Sequence, residues 1–412
     1  MIKRYLTHTG VKEIKYCLPN FKETAALSTD TLLGENIGVS YKSKVILKNL
    51  PAVVNAVYNV SNKQYFYAND GKVYSVNASG YDELMTVGEQ MPIVTEVIVG
   101  GQMQTLIVGK DGAAVFKDND KTDIEIPFGE HIAVCRGRVV TALESVISVG
   151  GQFDFDTFSV VKGGVIIKIP LSAGEIVGLI EYDSYVLVLC EKSLFKLNAD
   201  TEYGFILESL PEKNLHIEKH TVKRVGKAVY FINNSRLCRY DGGKISYVQT
   251  MLDEVAFKVA GNAAVMDDKY LLSIAVRENS VTYFYDTVSK DESFISGNFT
   301  VLGDGGYASN KENKSLYLFE SGASENNAVW ESKPLNFGEQ NKKSLLQVCV
   351  AVGCSATLEI IGDFGSKVFL LKQGYNDKRT NLVSREFKFK LTALESGFTA
   401  KDLRAEYKII GG

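Results

Sequence analysis

Hydrophobic and polar residues alternate in short runs along most of the chain, and the clearest example is the stretch from Gln64 to Asn77. Two runs rich in Tyr, Phe and Val lie on either side of Asp70-Gly71. An Asp-Gly pair tolerates the positive φ angles of a tight turn, and the flanking side chains suit a pleated surface. The stretch therefore predicts a β-hairpin.

The hairpin pattern recurs roughly every 40 residues, and the period predicts the fold class. The turns are predicted at Asp70-Gly71, Asp111-Gly112, Glu191-Lys192, Asn233-Asn234 and Arg277-Glu278, with further units near Gly150-Gly151 and Ser321-Gly322. Strands at this period, without 3.6-residue periodicity, are typical of four-stranded propeller blades rather than helical solenoids. We predict an all-β fold, a six- or seven-bladed β-propeller over residues 51–338, in which the unit at 131–174 is the least regular.

The two ends of the chain depart from this period. Residues 1–50 are polar and irregular, which predicts an N-terminal extended arm with one short strand at Lys44 to Leu47. In residues 339–412, Phe387, Phe389 and Leu391 alternate with lysines, and 403–409 alternates in the same way. Such alternation is typical of half-buried antiparallel strands. About five strands are expected there, forming a small C-terminal β-sandwich.

Composition adds a charge difference to this division. The 412 residues are 45% hydrophobic, with 21 Tyr, 21 Phe, 36 Gly and 7 Pro, as expected of many strands joined by tight turns. The net charge of −3 points to no nucleic-acid or membrane partner. Residues 341–412 hold 12 Lys and Arg against 7 Asp and Glu, a net charge of +5, so the rest carries −8. We interpret the C-terminal residues as a mildly basic module.

The cysteines and the lengths of the apolar runs indicate the cellular compartment in which we expect the chain to fold. The six cysteines show no CxxC spacing and mostly lie in apolar runs, which predicts buried thiols. The N-terminus lacks a signal-peptide core, and no run approaches the roughly 20 apolar residues of a membrane span. We expect a chain that folds in a cytoplasm and has no membrane-spanning segment.

Three clusters could hold chemistry, and each has a simpler interpretation. His216 and His220 flank Glu218 without forming an HExxH motif, and on a strand they would lie roughly 13 Å apart. Asp118, Asp120 and Asp123 begin like a calcium loop, but the later Gly and Glu are absent, which favours a solvated loop. Asp154 and Asp156 could be paired carboxylates of a glycosidase or two solvent-facing acids.

The common catalytic signatures are missing from the sequence. It contains no GxSxG elbow, no GxxxxGK[ST] loop and no CxxC pair. We predict no catalytic residues, no cofactor and no metal, although a propeller can assemble an active site from separate blades. The single tryptophan, Trp330, lies where the repeat ends, and we interpret it as a core or seam residue closing the ring rather than a ligand-stacking residue.

The junction after the repeat resembles a known family. Trp330-Glu-Ser-Lys, Phe337-Gly338, Lys343 to Val350, Asp363 and Arg385-Glu-Phe-Lys-Phe together resemble the blade-to-sandwich junction of β-propeller proteins in tailed-phage particles. The nearest group is the tail nozzle and packaged-DNA stabilisation proteins. The resemblance covers about 80 C-terminal residues and the repeat period, and its motifs are structural.

The resemblance implies a non-enzymatic structural component of a phage or phage-derived tail particle, of nozzle, tail-tip or baseplate type. It implies a virion (tail) location after assembly in the host cytoplasm, a homo-oligomeric ring, proximity to packaged DNA, and other tail or head-tail connector proteins as partners. Two alternatives stay open: a carbohydrate-binding or glycoside-processing β-propeller that uses Asp154 and Asp156, and a scaffold for cellular protein partners.

Overall fold

The structure is a computed structural model. It describes residues 14–17, 32–33, 41–118, 120–153, 157–198, 205–212, 214–254, 256–276, 279–290, 292–310, 312–321, 329–332, 334–337, 340–395 and 400–410. The fold of these residues is all-β, with short 3-10 turns at Val160–Lys162, Leu171–Ala173 and Met251–Glu254.

Three of the described strands precede residue 50, and each lies in a sheet with distant parts of the chain. They are β1 (Ile14–Cys17), β2 (Leu32–Leu33) and β3 (Tyr41–Leu47). β1 pairs with residues 405–408, β2 pairs with 292–293, and β3 is the last strand of a sheet built from 301–321. The strand predicted at Lys44 to Leu47 is confirmed and begins three residues earlier.

The next twenty strands form five four-stranded antiparallel sheets, in which spatial order follows chain order. The first two sheets contain β4 (Val54–Val60), β5 (Lys63–Ala68), β6 (Lys72–Asn77) and β7 (Gly80–Thr86), then β8 (Ile93–Val99), β9 (Gln102–Gly109), β10 (Gly112–Lys117) and β11 (Asp120–Ile124). The third contains β12 (His131–Cys135), β13 (Arg138–Leu143), β14 (Val146–Val149) and β15 (Val165–Lys168). The fourth contains β16 (Ile176–Tyr182), β17 (Tyr185–Cys190), β18 (Leu194–Asn198) and β19 (Ile206–Ser209). The fifth contains β20 (Lys223–Val225), β21 (Ala228–Asn233), β22 (Arg236–Tyr240) and β23 (Ile245–Tyr247).

The sixth and seventh sheets each include an N-terminal strand. The sixth has the order β2-β27-β26-β25-β24, with β24 (Lys258–Met266), β25 (Lys269–Val276), β26 (Asn279–Asp286) and β27 (Glu292–Ser296). The seventh has the order β28-β29-β30-β3, with β28 (Val301–Gly303), β29 (Tyr307–Ser309) and β30 (Leu316–Ser321).

Most of the predicted turns lie where the sequence places them. Asp70-Gly71, Asp111 and Glu191-Lys192 connect the second and third strands of their sheets. The turn predicted at Asn233-Asn234 lies one residue later, because Asn233 is still paired with Arg236. Residues 277 and 278 lie outside the described part of the chain.

The third sheet confirms the irregular unit predicted at 131–174, but the turn position expected at Gly150-Gly151 is wrong. In the third sheet the turn is at Glu144, where φ is 52°, and Gly150-Gly151 instead opens the long connection from β14 to β15. The unit predicted around Ser321-Gly322 is also wrong, since residues 329–331 pair with 390–392 of the C-terminal module. The seventh sheet turns earlier, at Asn310, whose side-chain oxygen accepts hydrogen bonds from the backbone N–H groups of Glu312 and Asn313.

Apolar side chains fill the space between consecutive sheets, and one cluster joins the last sheet to the first. In that cluster Val301 and Leu316 pack with Val54 and Phe66. Strands also come close: a β-carbon added to Gly303 would lie 2.8 Å from Val57 Cγ1. The sheets therefore follow one another around a closed circuit, a β-propeller-like arrangement.

Seven further strands follow, and with β1 they form two four-stranded sheets. The strands are β31 (Val329–Glu331), β32 (Lys343–Val352), β33 (Ala356–Gly362), β34 (Gly365–Leu371), β35 (Gly374–Ser384), β36 (Phe387–Ala393) and β37 (Ala400–Ile409). The sheet orders are β31-β36-β33-β34 and β1-β37-β32-β35.

The predicted alternation in this region is confirmed. Phe387, Phe389 and Leu391 are fully buried, and so are Leu403, Ala405 and Tyr407 to within a few per cent. The sequence missed β35, because Gly374–Ser384 is mostly polar and shows no alternation.

The described residues divide into two compact units. One comprises Met1–Lys44, Val281–Ser296 and Phe319–Gly412, and the other comprises Val45–Ser280 and Gly297–Leu318. The first strands of all seven sheets in the circuit lie in the second unit.

Candidate functional site

The second unit borders a partly open cavity of about 660 Å³ between the first strands of its sheets. Every sheet of the circuit contributes, through residues that include Asn59, Thr95, His131, Leu179, Lys223, Asn262 and Leu302. A concave space with a few convergent polar groups is the usual form of a ligand site. The polar groups in this cavity decide what it can do.

The charged pair in the cavity links strands of different sheets. The Lys223 ammonium lies 3.0 Å from each carboxylate oxygen of Asp304, and Asp304 also accepts a hydrogen bond from the backbone N–H of Val265 at 2.9 Å. Nearby, the Asn262 side chain donates to the Leu302 carbonyl oxygen and accepts from the Leu302 N–H. These groups are occupied in strand-to-strand bonds, so they hold the circuit together.

Two histidines lie at the cavity wall and are neutral near pH 7. Burial, with a smaller contribution from nearby His220, lowers the pKa of His131 to about 4, and Nε2 lies 3.1 Å from the Ile176 carbonyl oxygen. Burial also lowers the pKa of His220, against the opposing effect of Glu130. Among the described residues, no group of three His, Cys, Asp or Glu side chains is placed to hold a metal ion.

The two histidines considered in the sequence, His216 and His220, differ in their position relative to the cavity. Both side chains are exposed, but only His220 lines the cavity, where it has a left-handed conformation with φ of 61°. Between them, Ile217 forms a β-bridge with Asn233. Sequence reasoning found His220 but missed His131, which lies 89 residues earlier and in no motif.

Three of the acidic candidates lie apart from the cavity lining. Asp118, Asp120 and Asp123 are exposed on the β10–β11 hairpin. Lys63 approaches Asp118 to 3.0 Å and lowers the pKa of that carboxyl, and Lys121 lies 2.7 Å from Asp123. Asp154 and Asp156, the glycosidase candidates, lie outside the described residues.

A buried arginine organises the connection after β14. Arg138 is 2% exposed, and its Nη1 donates to the carbonyl oxygens of Gly150 at 2.6 Å and Gly163 at 2.9 Å. The guanidinium also lies 5.2 Å from the centre of the Phe205 ring. Burial lowers the pKa of this guanidinium, which remains a cation at neutral pH. Arg138 thus fixes both ends of an inserted loop.

Trp330 is a core residue, as predicted, but it does not close the ring. Its side chain is fully buried, and its backbone pairs with Leu391 in a C-terminal sheet.

Four cysteines are buried thiols, as predicted: Cys135, Cys190, Cys238 and Cys354. Cys349 is half-buried, and the side chain of Cys17 is not among those that the structure describes.

An apolar strand edge marks the C-terminal module. In the order of the described strands, β34 is the end strand of its sheet, with β33 as its hydrogen-bonded neighbour. Val368 and Leu370 are 62% and 61% exposed on this strand, and Phe364 in the turn before it is 79% exposed. Exposed apolar strand edges are typical of protein–protein contacts.

Comparisons with known proteins give similarity of structure alone. No family model matches the chain, and no curated protein matches its sequence. Among solved structures, the chain is similar to the extracellular domain of a B. thetaiotaomicron protein described as a one-component system, with a TM-score of 0.48 and 12% identity over 81% of this chain and 48% of that one. It is also similar to PorZ, an essential surface component of the type-IX secretion system of Porphyromonas gingivalis, with a TM-score of 0.44 and 11% identity over 80% of this chain and 46% of PorZ. The chain thus spans about half the length of these proteins.

In the described part of the chain, no helix has the length and apolar character that crossing a bilayer requires.

Proposed function

We propose that this chain is a non-enzymatic structural component of a phage or phage-derived tail particle, of nozzle, tail-tip or baseplate type. In this proposal the seven sheets around one cavity are seven propeller blades, and the two C-terminal sheets form a β-sandwich. Copies pack in a ring or collar next to other tail or head-tail connector proteins and near packaged DNA.

The observation that carries the proposal is that the residues of the phage-like junction contact one another. Lys343 is fully buried, and its ammonium donates to the Arg385 carbonyl oxygen at 2.6 Å and the Asn341 carbonyl oxygen at 2.9 Å. The Arg385 N–H donates in turn to the Asp363 carboxylate at 2.9 Å, which lowers the pKa of that carboxyl. Residues scattered over 43 positions of sequence therefore form one connected network.

Aromatic residues extend this network into the core of the module. Phe337 stacks on Tyr407 with ring centres 4.8 Å apart and on Phe387 at 5.8 Å. The Ser332 hydroxyl accepts a hydrogen bond from the Phe389 N–H at 2.9 Å. The motif thus has a structural purpose, since it joins the segment leaving the repeat to both C-terminal sheets.

The cavity supports a structural role more than a catalytic one. Its ion pair and its asparagine are committed to strand-to-strand bonds. A rigid block built in this way fits a part that works by packing against copies and neighbours.

Electron microscopy of the full-length protein and of tail particles from the source organism tests the proposal. We expect ring-shaped oligomers of the purified chain, and particles on which an antibody against the chain labels one position of the tail. A strict monomer that joins no particle would overturn the proposal. A glycan array run beside it tests the carbohydrate-binding alternative, and selective glycan binding by a monomer would favour that alternative.

A further inference from the structure

The N-terminal strands show how this chain covers its sheet edges. β1 covers the edge of one C-terminal sheet by pairing with β37, β2 covers the edge of the sixth sheet by pairing with β27, and β3 is the end strand of the seventh. A strand edge left open presents unpaired backbone N–H and C=O groups, which proteins normally cover, shorten or charge. β34, like the last strands of the first five sheets, is an end strand that none of these three covers.

β34 combines an open edge with apolar side chains. Over its seven residues it pairs with β33 along its full length, and in the sheet order of the described residues no strand lies on its other side. Val368 and Leu370 project to the same side because they are two positions apart. Both are more than 60% exposed, and the one charged residue of Gly365–Leu371 is Lys367, whose ammonium donates to the Thr380 carbonyl oxygen on β35. Such an edge accepts another strand.

The distribution of charge along the chain indicates which surface supplies the strand that pairs with β34. Residues 341–412 carry a net charge of +5, so pairing two of these modules with each other would bring like charges together. The other 340 residues carry −8, and the outer strands β7 and β11 present Asp82 and Asp120 at exposed positions. Opposite charge on the two partners favours association between the C-terminal module of one copy and the acidic part of the next.

We propose that β34 adds to an outer sheet edge in the acidic part, residues 1–340, of a second copy of this chain. Contacts between two different surfaces of identical subunits run head to tail, and they close into a ring when the rotation between copies allows it. The inference rests on the proposed function and names the surface through which its ring forms.

A double substitution on the edge tests the inference. V368D/L370D places two carboxylates on the exposed side of β34, whereas I98D/M103D makes the same change at Ile98 and Met103, which are cross-strand neighbours 68% and 55% exposed on β8 and β9. The mass of each full-length protein is measured by light scattering and by sedimentation, over a wide range of protein concentrations at low and at high salt. Circular dichroism establishes that each variant is folded.

We expect the wild type and I98D/M103D to associate, more strongly at low salt, and V368D/L370D to associate at least about tenfold more weakly. Amide hydrogen exchange gives a second readout: exchange in residues 365–371 should slow in the assembled wild type, because a new strand pairs with that edge. Equal association of the two variants, or unchanged exchange in β34 upon association, overturns the inference.

The same variants separate this inference from the proposed function. If V368D/L370D enters tail particles and rings as readily as the wild type, then the surface is wrong and the proposed function stands. If the wild type stays a monomer and joins no particle, both are wrong.

Discussion

Gly261 lies so close to Thr300 that a β-carbon on the glycine would stand 1.9 Å from the Thr300 carbonyl oxygen. The contact joins the first strand of the sixth sheet to the residue just before the first strand of the seventh. Both residues line the cavity. The two neighbouring strands can therefore approach this closely only because Gly261 has no side chain.

We predict that Gly261→Ala lowers the free energy of unfolding by about 1–3 kcal/mol or more, because the new methyl group must displace backbone. Gly112→Ala is the matched control, since no atom lies within 4 Å of its β-carbon position. The control should be neutral or more stable by about 0.4–1 kcal/mol, because alanine restricts the unfolded chain. Denaturant titration measures both, and equal stability of the two variants would show that the strands can separate.

The repeat could be predicted from the sequence because its signals are local. Asp70-Gly71 takes the turn that its residue types favour, and φ of Gly71 is 79°. Glu144 takes a left-handed conformation that glutamate does not favour, so the strands on either side impose that turn, and the nearby Gly150-Gly151 is misleading. The pairing of β3 with strands about 270 residues later leaves no local signal at all.

The candidate site was less predictable than the fold. The cavity takes its residues from seven sheets, so no spacing in the sequence brings His131 and His220 together. The edge strand β35 was missed because polar residues of an edge need not alternate. By contrast, the alternation of Phe387, Phe389 and Leu391 reports burial directly, and it was sufficient to place β36.

Burial of His131 should make the folded state less stable as the pH decreases. Burial lowers its pKa to about 4, and an unfolded histidine titrates near 6.5. The folded state therefore binds fewer protons than the unfolded state between these values, and stability falls as pH decreases from about 6.5 to 4. The shift corresponds to at most about 3 kcal/mol, an upper limit for a half-buried ring.

We predict that His131→Gln flattens the pH dependence of unfolding between pH 6.5 and 4, because the glutamine amide does not titrate and its N–H group can still donate to the Ile176 carbonyl oxygen. His216→Asn is the control for loss of an exposed histidine that does not line the cavity. Denaturant titrations at several pH values measure the slopes. A His131→Gln slope equal to that of the wild type would assign the pH dependence to other groups.

Arg138 should control the loop between β14 and β15. In Arg138→Met the carbonyl oxygens of Gly150 and Gly163 lose a buried donor, at a cost of about 1–3 kcal/mol each. We expect a protease to cut within residues 150–164 faster than in the wild type. Arg224→Met is the control, since this exposed arginine also donates to a carbonyl oxygen, that of Glu181, but water can replace it. Equal cleavage rates in the two variants would contradict the assigned role.

Trp330 is the single tryptophan of the chain and is fully buried, so its fluorescence reports on the C-terminal module alone. Trp330→Ala should lower the stability of that module by about 3–5 kcal/mol, the usual cost of emptying a buried indole site. Phe153→Ala, at a ring that is 84% exposed, should change stability by no more than about 0.5 kcal/mol. Circular dichroism during denaturation measures both variants.

In the wild type, the two probes together test whether the units unfold separately. Tryptophan emission follows the unit that contains residues 319–412, whereas circular dichroism is dominated by strands of the whole chain. We expect the emission transition of the wild type to coincide with an early part of its dichroism transition, and Trp330→Ala to shift that early part alone, because the strands of residues 45–280 have their own core clusters. A single transition that shifts as a whole would instead mean that the C-terminal module and the sheets of the circuit unfold as one cooperative body.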